Sequence, residues 1–434
     1  MPQAQEMPLQ VIVVGAGIGG LCTAVALQQA GHSVKVFEKS RFAAEIGAAL
    51  LITPNGERVL SRLGFDFTRS RADDMTCFEV LDGVTFEPLS RVDLSQARKE
   101  FGAPLYTVHR VDLHNEILRL TSELDIRLAS RVVAADAEQG FVLLEDGTRH
   151  HADLIVAADG LHSVLRGVVL GDQDTAKPTP SGMSAFRFMI PTSELQDNPH
   201  FRELLKLKGR GSSVLADTAH QTERHMVWYT CRDGQVQNFA GIRESMPTGE
   251  GEHDAGRIWP LSSQPDPYHQ SGSQCDRLAP FIPRPASNLA SGEDCPNRGC
   301  CSSSTSIFPS IPSFSMAIPS LTQEMMQMLP FGAQGANQAI EDAGALGALF
   351  SGIGCASDVA SRLALFEQVR RLRASRIQTL SKVRIGKERE VEAELRQYAD
   401  PPGSDVPTSF AERCKHDYGF NVFAACKEAL AKGA

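Results

Sequence analysis

The sequence predicts an α/β fold: a doubly wound parallel sheet, a separate antiparallel sheet, and helices at the C-terminus. Three observations predict it. A run of β-formers, Val11-Ile12-Val13-Val14, leads straight into Gly15-Ala16-Gly17-Ile18-Gly19-Gly20 and a helix-compatible stretch, residues 21–30. Residues 184–190 and 225–242 have the texture of strands in another sheet. Residues 332–350 and 359–399 are helical in pattern.

The first observation also carries chemistry. In G-x-G-x-x-G, Gly15 permits the tight turn, Gly17 lets the backbone approach a pyrophosphate, and Gly20 lets helix and strand pack closely. Free N–H groups at the helix N-terminus, with the helix dipole behind them, receive the pyrophosphate. A second strand, Val34-Lys35-Val36-Phe37, ends at Glu38, whose carboxylate can accept both hydroxyls of an adenosine ribose. Strand, glycines, helix, strand and acid in this order predict a Rossmann-type unit holding a dinucleotide. The plainer reading is a glycine-rich turn without a ligand.

The bulk composition narrows the field. At 434 residues the chain is long enough for two or three domains. Hydrophobic content of 42% and charged content of 22% are those of a soluble enzyme. A net charge of −9 argues against nucleic acid as a partner. There is no apolar run of about 18 residues, so no transmembrane segment is expected. The first apolar run leads into the glycine motif, which makes it a core strand and no signal peptide. Ten scattered cysteines suit a reducing, cytoplasmic compartment. Cys295, Cys300 and Cys301 cluster without a C-x-x-C pair or matching histidines, so no metal site is expected.

Other elements follow in order. A loop carries Glu45-Ile46-Gly47-Ala48-Ala49, and residues 54–63 read as a helix. Residues 105–110 are β-prone, and 111–118 have apolar residues at helical spacing. Residues 127–148 alternate like a hairpin with Asp146-Gly147 as its turn. Residues 153–160 read as a buried strand ending in an acid-glycine turn. Residues 261–320 contain 14 Ser, 9 Pro and four of the ten Cys, with no period of 2 or 3.6, so neither strand nor helix is expected there. The last segment, residues 410–434, ends in a short helix. The predicted division is a discontinuous nucleotide domain (1–175 plus 328–385), a substrate domain (65–105 plus 176–327) and a C-terminal helical segment (386–434).

Three further motifs fall in a telling order. Tyr106-Thr107-Val108-His109-Arg110-Val111-Asp112-Leu113 puts an arginine between a strand and a helix. Asp159-Gly160-Leu161-His162-Ser163-Val164-Leu165-Arg166 fits D-G-x-x-S-x-x-R. The stretch Pro330-Phe331-Gly332-Ala333-Gln334-Gly335-Ala336-Asn337 is a glycine-rich loop opening a helix. Over residues 9–245 and 328–434 this set resembles the FAD-dependent aromatic hydroxylases, the salicylate-hydroxylase-like flavoprotein monooxygenases of fungal type. The resemblance implies FAD as cofactor, NAD(P)H as co-substrate, and O2 with a phenolic or other aromatic substrate, in secondary metabolism.

The resemblance also implies roles. Gly15, Gly17 and Gly20 hold the pyrophosphate, Glu38 holds the ribose, and Gly47 and Ala49 lie against the cofactor. Arg110 sits against the FAD chain, and Asp159 and Gly160 lie beside the pyrophosphate, with Arg166 shaping the NAD(P)H approach. Gly332, Gly335, Ala336 and Asn337 bring backbone N–H groups to the flavin pyrimidine edge. His225 and Tyr229 stand four apart in a β-like run, hence on one face, and face the phenol. An imidazole is suited to take the phenol proton near neutral pH. Arg187 is placed to meet a phenolate or carboxylate. The plain alternatives are a surface ion pair for Arg110, a strand-end turn for Asp159, and ordinary sheet residues for Arg187, His225 and Tyr229.

One part of the pattern is broken. The family has a Gly-Asp pair about ten residues before the glycine-rich loop, and residues 318–327 contain none. Gln323-Glu324-Met325-Met326-Gln327 must be encoded CAR-GAR-ATG-ATG-CAR. Read two bases later, that gives Gly/Arg, Asp/Asn, Asp, Ala. Residues 250–327 are therefore read as text translated out of frame, the alternative being divergence into a disordered loop. Three rival readings stay open: another flavin or NAD oxidoreductase, an inactive remnant, and a non-enzymatic nucleotide-binding protein.

Overall fold

The computed structural model describes residues 8–41, 48–160, 163–170, 183–217, 224–244, 306–309, 332–353 and 355–433. Its first sheet has the order β17-β12-β1-β2-β8. The strands are β1 (Gln10–Val14), β2 (Ser33–Phe37), β8 (Asp125–Arg127), β12 (Leu154–Ala157) and β17 (Ser306–Pro309). The first four run parallel, with Val11 beside Leu154 and Val34; β17 is antiparallel to β12.

The two-residue period of β1 explains its burial on both faces. Val11 and Val13 pack against helix α1 (Ile18–Gln29) and a late helix, α8 (Gln334–Phe350). Ile12 and Val14 face a three-stranded antiparallel sheet of β9 (Val132–Asp136), β10 (Phe141–Leu144) and β11 (Arg149–His151). Helices α1 and α8 come close: a Cβ on Gly347 would lie 2.9 Å from the Ala26 methyl. The region expected to be one hairpin is thus β8 plus this meander. Asp146-Gly147 does make a turn, between β10 and β11, with Gly147 at φ +85°.

The second large sheet has the order β13-β16-β15-β14-β5-β6. Its members are β5 (Cys77–Asp82), β6 (Pro88–Asp93), β13 (Met183–Pro191), β14 (Gly211–Ala216), β15 (Arg224–Cys231) and β16 (Val236–Glu244). One face buries Leu215, Met226, Trp228 and Phe239 with Leu195 and Phe201, from α6 (Thr192–Gln196) and α7 (Pro199–Leu207). The other buries Tyr229 and Cys231 against Ala49. Ala49 opens β3 (Ala49–Ile52), which pairs with β7 (Tyr106–His109), itself paired with β4 (Asp73–Asp74).

Helix α2 (Pro54–Leu63) follows β3, α3 is Ala97–Phe101, α4 (Arg110–Arg119) follows β7, and α5 is Arg166–Leu170. The C-terminal part departs from the sequence reading. A single helix was expected over 359–399. Instead α9 (Val359–Ser381) stops before Gly386, which takes φ +94°, and short pieces follow, including α10 (Glu392–Leu395). The last segment forms two helices, α11 (Phe410–Gly419) and α12 (Val422–Gly433).

Strand β17 is a second correction, because no strand was expected within 261–320. Four residues are too few to show a period. This strand takes its backbone partners from the edge of β12, so tertiary pairing, not local pattern, creates it. The rest of the reading for 250–327, including the missing Gly-Asp, lies outside the described residues.

Candidate functional site: a glycine turn and a buried sheet face

The glycine turn is built at the carboxyl end of the parallel sheet, where ligands of open α/β sheets bind. Gly15 takes φ +104°, and a Cβ there would lie 2.4 Å from the Ala158 carbonyl oxygen. A Cβ on Gly20 would lie 2.0 Å from the Gly15 carbonyl oxygen. Both close approaches are to backbone, which cannot step aside. Gly17 precedes α1 and no side chain caps it, so the N-terminal N–H groups are left to a ligand.

Glu38 comes back to this turn. Its Oε2 accepts the Ala16 N–H at 2.8 Å and its Oε1 accepts the Ser40 N–H at 2.8 Å. Buried His114 donates its Nε2–H to the Ala16 carbonyl at 2.8 Å. Both backbone groups of Ala16 are thus held from elsewhere. No local pattern signals the His114 contact, because the histidine lies 98 residues from Ala16.

Asp159 also lies at the carboxyl end of the sheet, and its Oδ2 accepts Val164 N–H at 2.8 Å. Gly160 takes φ +78°. Arg166, expected to shape the NAD(P)H approach, is buried and donates to the Gly160 carbonyl at 3.2 Å. Arg110 begins α4, and its N–H donates to the Ala48 carbonyl at 3.3 Å. Gly47 lies outside the described residues.

The late glycine loop leads into α8 through Ala333, which takes φ +54°. Gly332 sits just before it, and Gly335 and Ala336 lie in the first helical turn with N–H groups that have no partner within the helix. Asn337 uses its side chain structurally. Oδ1 accepts Thr53 N–H at 3.0 Å, while Nδ2 donates to Leu51 O at 3.0 Å and Ala333 O at 2.7 Å. That fixes the start of α8 against β3 and α2.

Behind this helix lies an ionic cluster that the sequence reading missed. Glu341 and Asp342 on α8 meet Arg370 and Arg373 on α9, all four buried. Burial alone would raise the Glu341 carboxyl, but Arg373 and Arg370 beside it bring it down to about 2. Burial pushes Asp342 upward. Asn55 joins the cluster to the start of α8, donating to both Gln334 Oε1 and Glu341 Oε1. The only sequence signal was an acidic pair inside a small-residue apolar helix.

The three residues expected at the substrate share one sheet face. His225 and Tyr229 are both buried on β15, two apart in side-chain period. Arg187 on β13 pairs with Ala240, which pairs with Val227, so its side chain leaves the same face. That face packs on β3. The Tyr229 hydroxyl donates to the Ala49 carbonyl at 2.6 Å, and burial pushes the phenol well above its usual range, with nearby Arg187 opposing. Asn238, directly opposite Tyr229, accepts the Ala49 N–H on Oδ1 at 3.1 Å. The sequence reading did not single out Asn238.

This fold, with its glycine turn and returning acid, defines a nucleotide-binding oxidoreductase. Residues 8–240 match the model of the FAD binding domain family. The chain is 30% identical over 407 residues to the FAD-dependent monooxygenase phomE' of Diaporthe leptostromiformis, covering 91% of this chain and 96% of that one. It is 29% identical over 397 residues to the hispidin-3-hydroxylase of Neonothopanus nambi, covering 85% and 86%. The crystal structure of CtdE in complex with FAD and a substrate shares the fold, with a TM-score of 0.67 at 19% identity over 98% of each chain. The chain belongs to the FAD-dependent monooxygenases, flavoprotein oxidoreductases with FAD as cofactor and, as is typical of the family, NAD(P)H as reductant. The uncapped α1 terminus and the Gly15 and Gly20 approaches fit a pyrophosphate, so the residues present fit FAD. Among the described residues, no helix is long and apolar enough to cross a membrane.

Proposed function

We propose that this chain hydroxylates a phenolic or other aromatic small molecule, using NAD(P)H and O2, in secondary metabolism and in a reducing, cytoplasmic compartment. One observation carries the substrate class: a cation, an imidazole and a phenol, Arg187, His225 and Tyr229, leave one sheet face packed on β3. The names of the relatives support it, since one acts on hispidin and another, 30% identical over 260 residues, is a 3-amino-4-hydroxybenzoate 2-monooxygenase of Streptomyces cremeus.

When bound, FAD supplies the electron transfer and oxygen activation. Gly15, Gly17 and Gly20 would hold its pyrophosphate and Glu38 its ribose. Gly332, Gly335 and Ala336 would offer backbone N–H groups to its ring, with Gly47, Ala49, Arg110, Asp159, Gly160 and Asn337 shaping the bed. His225 takes the phenol proton, Arg187 holds an anionic oxygen of the substrate, and Tyr229 keeps β3 in register with the sheet.

The test is to purify the chain, record its flavin spectrum, and follow NAD(P)H oxidation with a panel of phenols alongside product formation. A yellow protein that couples NAD(P)H oxidation to ring hydroxylation is expected. A flavin-loaded protein that hydroxylates none of the phenols removes the substrate class.

A further inference from the structure

Asn238 has one end of its amide in use and one end left over. Its Oδ1 accepts the Ala49 N–H at 3.1 Å. Its Nδ2 is buried, in a residue with no exposed surface, and has no hydrogen-bond partner among the described residues. The two ends are not interchangeable. Turning the amide over would set its NH2 donors against the Ala49 N–H, donor facing donor. The group left over is therefore a donor, and it calls for an oxygen acceptor.

The position is held on two sides. Ala49 cannot drift, because the Tyr229 hydroxyl holds its carbonyl at 2.6 Å while Asn238 holds its N–H. Register sets Asn238 between Tyr229 on β15 and Met189 on β13. Its face is that of Arg187, Val227 and His225, and it packs on the first residue of β3. Buried amide donors in folded proteins are almost always satisfied, by protein, water or ligand. A lone donor on this face is what a ligand oxygen would complete.

We propose that Asn238 is a ligand-binding residue whose Nδ2 donates to an oxygen acceptor at the junction of β3 and the six-stranded sheet. This rests on the functional reading above. The acceptor chemistry is a ring carbonyl or an anionic oxygen, and it has two possible sources: a flavin carbonyl, or the phenolate or carboxylate of the aromatic substrate. Oδ1 remains the anchor to Ala49, so one side chain links the cofactor-side strand to the ligand.

Two variants separate donor from anchor. Asn238→Asp keeps an acceptor for Ala49 and removes the donor. Asn238→Ser removes the amide without adding charge and stands in if the first fails to fold. Tyr229→Phe, which loosens Ala49 without touching Nδ2, is the control. FAD affinity of the apoprotein is measured by flavin fluorescence quenching. Affinity of the FAD-loaded protein for salicylate, hispidin and 3-amino-4-hydroxybenzoate is measured by the flavin absorbance change.

A rise of at least tenfold in the FAD dissociation constant for the Asn238 variants, not shared by Tyr229→Phe, assigns the acceptor to the flavin. Unchanged FAD affinity with a tenfold loss for the best-binding probe assigns it to the substrate. Values within twofold of wild type for both, or unchanged FAD affinity with no probe binding to wild type, overturn the proposal. A loss shared equally by Tyr229→Phe also overturns it, since the anchor alone then explains the effect. If wild type takes up no FAD, the functional reading fails and the donor proposal falls with it; failure of the donor alone shows as a flavin-loaded wild type that the variants match.

Discussion

Glu38 and Ala16 are joined by a 2.8 Å hydrogen bond from the Ala16 N–H to the Glu38 carboxylate, which fastens the acid at the end of β2 to the glycine turn at the end of β1. A carboxylate has about four acceptor sites, and Ala16 and Ser40 take one each. The remaining lone pairs suit the two hydroxyls of a ribose. Glu38→Ala is expected to weaken FAD binding by about 1–3 kcal/mol, the cost of unsatisfied polar partners. Titration calorimetry of the apoprotein with FAD measures it, and unchanged affinity removes Glu38 from the site.

Gly20→Ala tests the turn itself. The added methyl would sit 2.0 Å from the Gly15 carbonyl oxygen and 3.2 Å from the Ala158 methyl. The first contact is backbone, so relief requires α1 to shift away from β1. The shift also moves the N–H groups meant for the pyrophosphate. We expect the variant to purify with less than a tenth of the wild-type flavin content and to unfold at lower temperature. Normal flavin content in this variant would mean the turn is not the cofactor cradle.

How much of this was legible depends on how local each signal is. The turn, Glu38 and the start of α8 are written in contiguous residues, since glycines at a tight turn and an acid at a strand end act within one βαβ unit. Asn238 and His114 could not be read, because each acts on a backbone group more than 90 residues away. Strand β17 failed for the same reason, as its partner β12 lies about 150 residues earlier. The long helix expected beyond 381 failed because charge and apolar content persist there while Gly386 takes a left-handed conformation.

The cluster of Glu341, Asp342, Arg370 and Arg373 sets a stability prediction. Removing one member of a buried ion pair leaves its partners charged and unpaired, at a cost of about 3–5 kcal/mol. Glu341→Ala should lower stability by that order in urea unfolding followed by circular dichroism. The pH dependence has a definite sign. Glu341 is held at about 2 in the folded chain, below the ordinary carboxyl range, so its contribution is complete above about 4.3 and is lost as pH falls toward 2. Glu341→Gln should remove that part of the acid-side slope. A variant and wild type with parallel stability curves between pH 5 and pH 2.5 would contradict it.

His225→Ala should separate chemistry from cofactor binding. The residue lies on the sheet face with Tyr229, not at the glycine turn, so flavin content should stay at the wild-type level. Loss of a positioned general base lowers rate by roughly 10²–10⁴-fold. The hydroxylation rate should fall by that order and recover partly at higher pH, where the phenol ionises without help. Loss of flavin with retained substrate affinity would place His225 at the cofactor instead.

The last prediction concerns residues 323–327, where a two-base shift of reading frame makes Gly-Asp-Asp-Ala available about five to eight codons before Gly332. The family resemblance gives that Gly-Asp carboxylate a ribityl hydroxyl to bind. A carboxylate–hydroxyl hydrogen bond of this kind contributes roughly 1.5–3 kcal/mol, or about tenfold or more in affinity. Expressing the chain as written beside a version carrying the shifted frame over 250–327 should therefore show tighter FAD binding in the second. Sequencing the transcript across the segment states which version the cell makes. Equal FAD affinities, with a transcript that matches the chain as written, would sink the frame-shift reading and leave divergence of this segment as the account of its Ser- and Pro-rich composition.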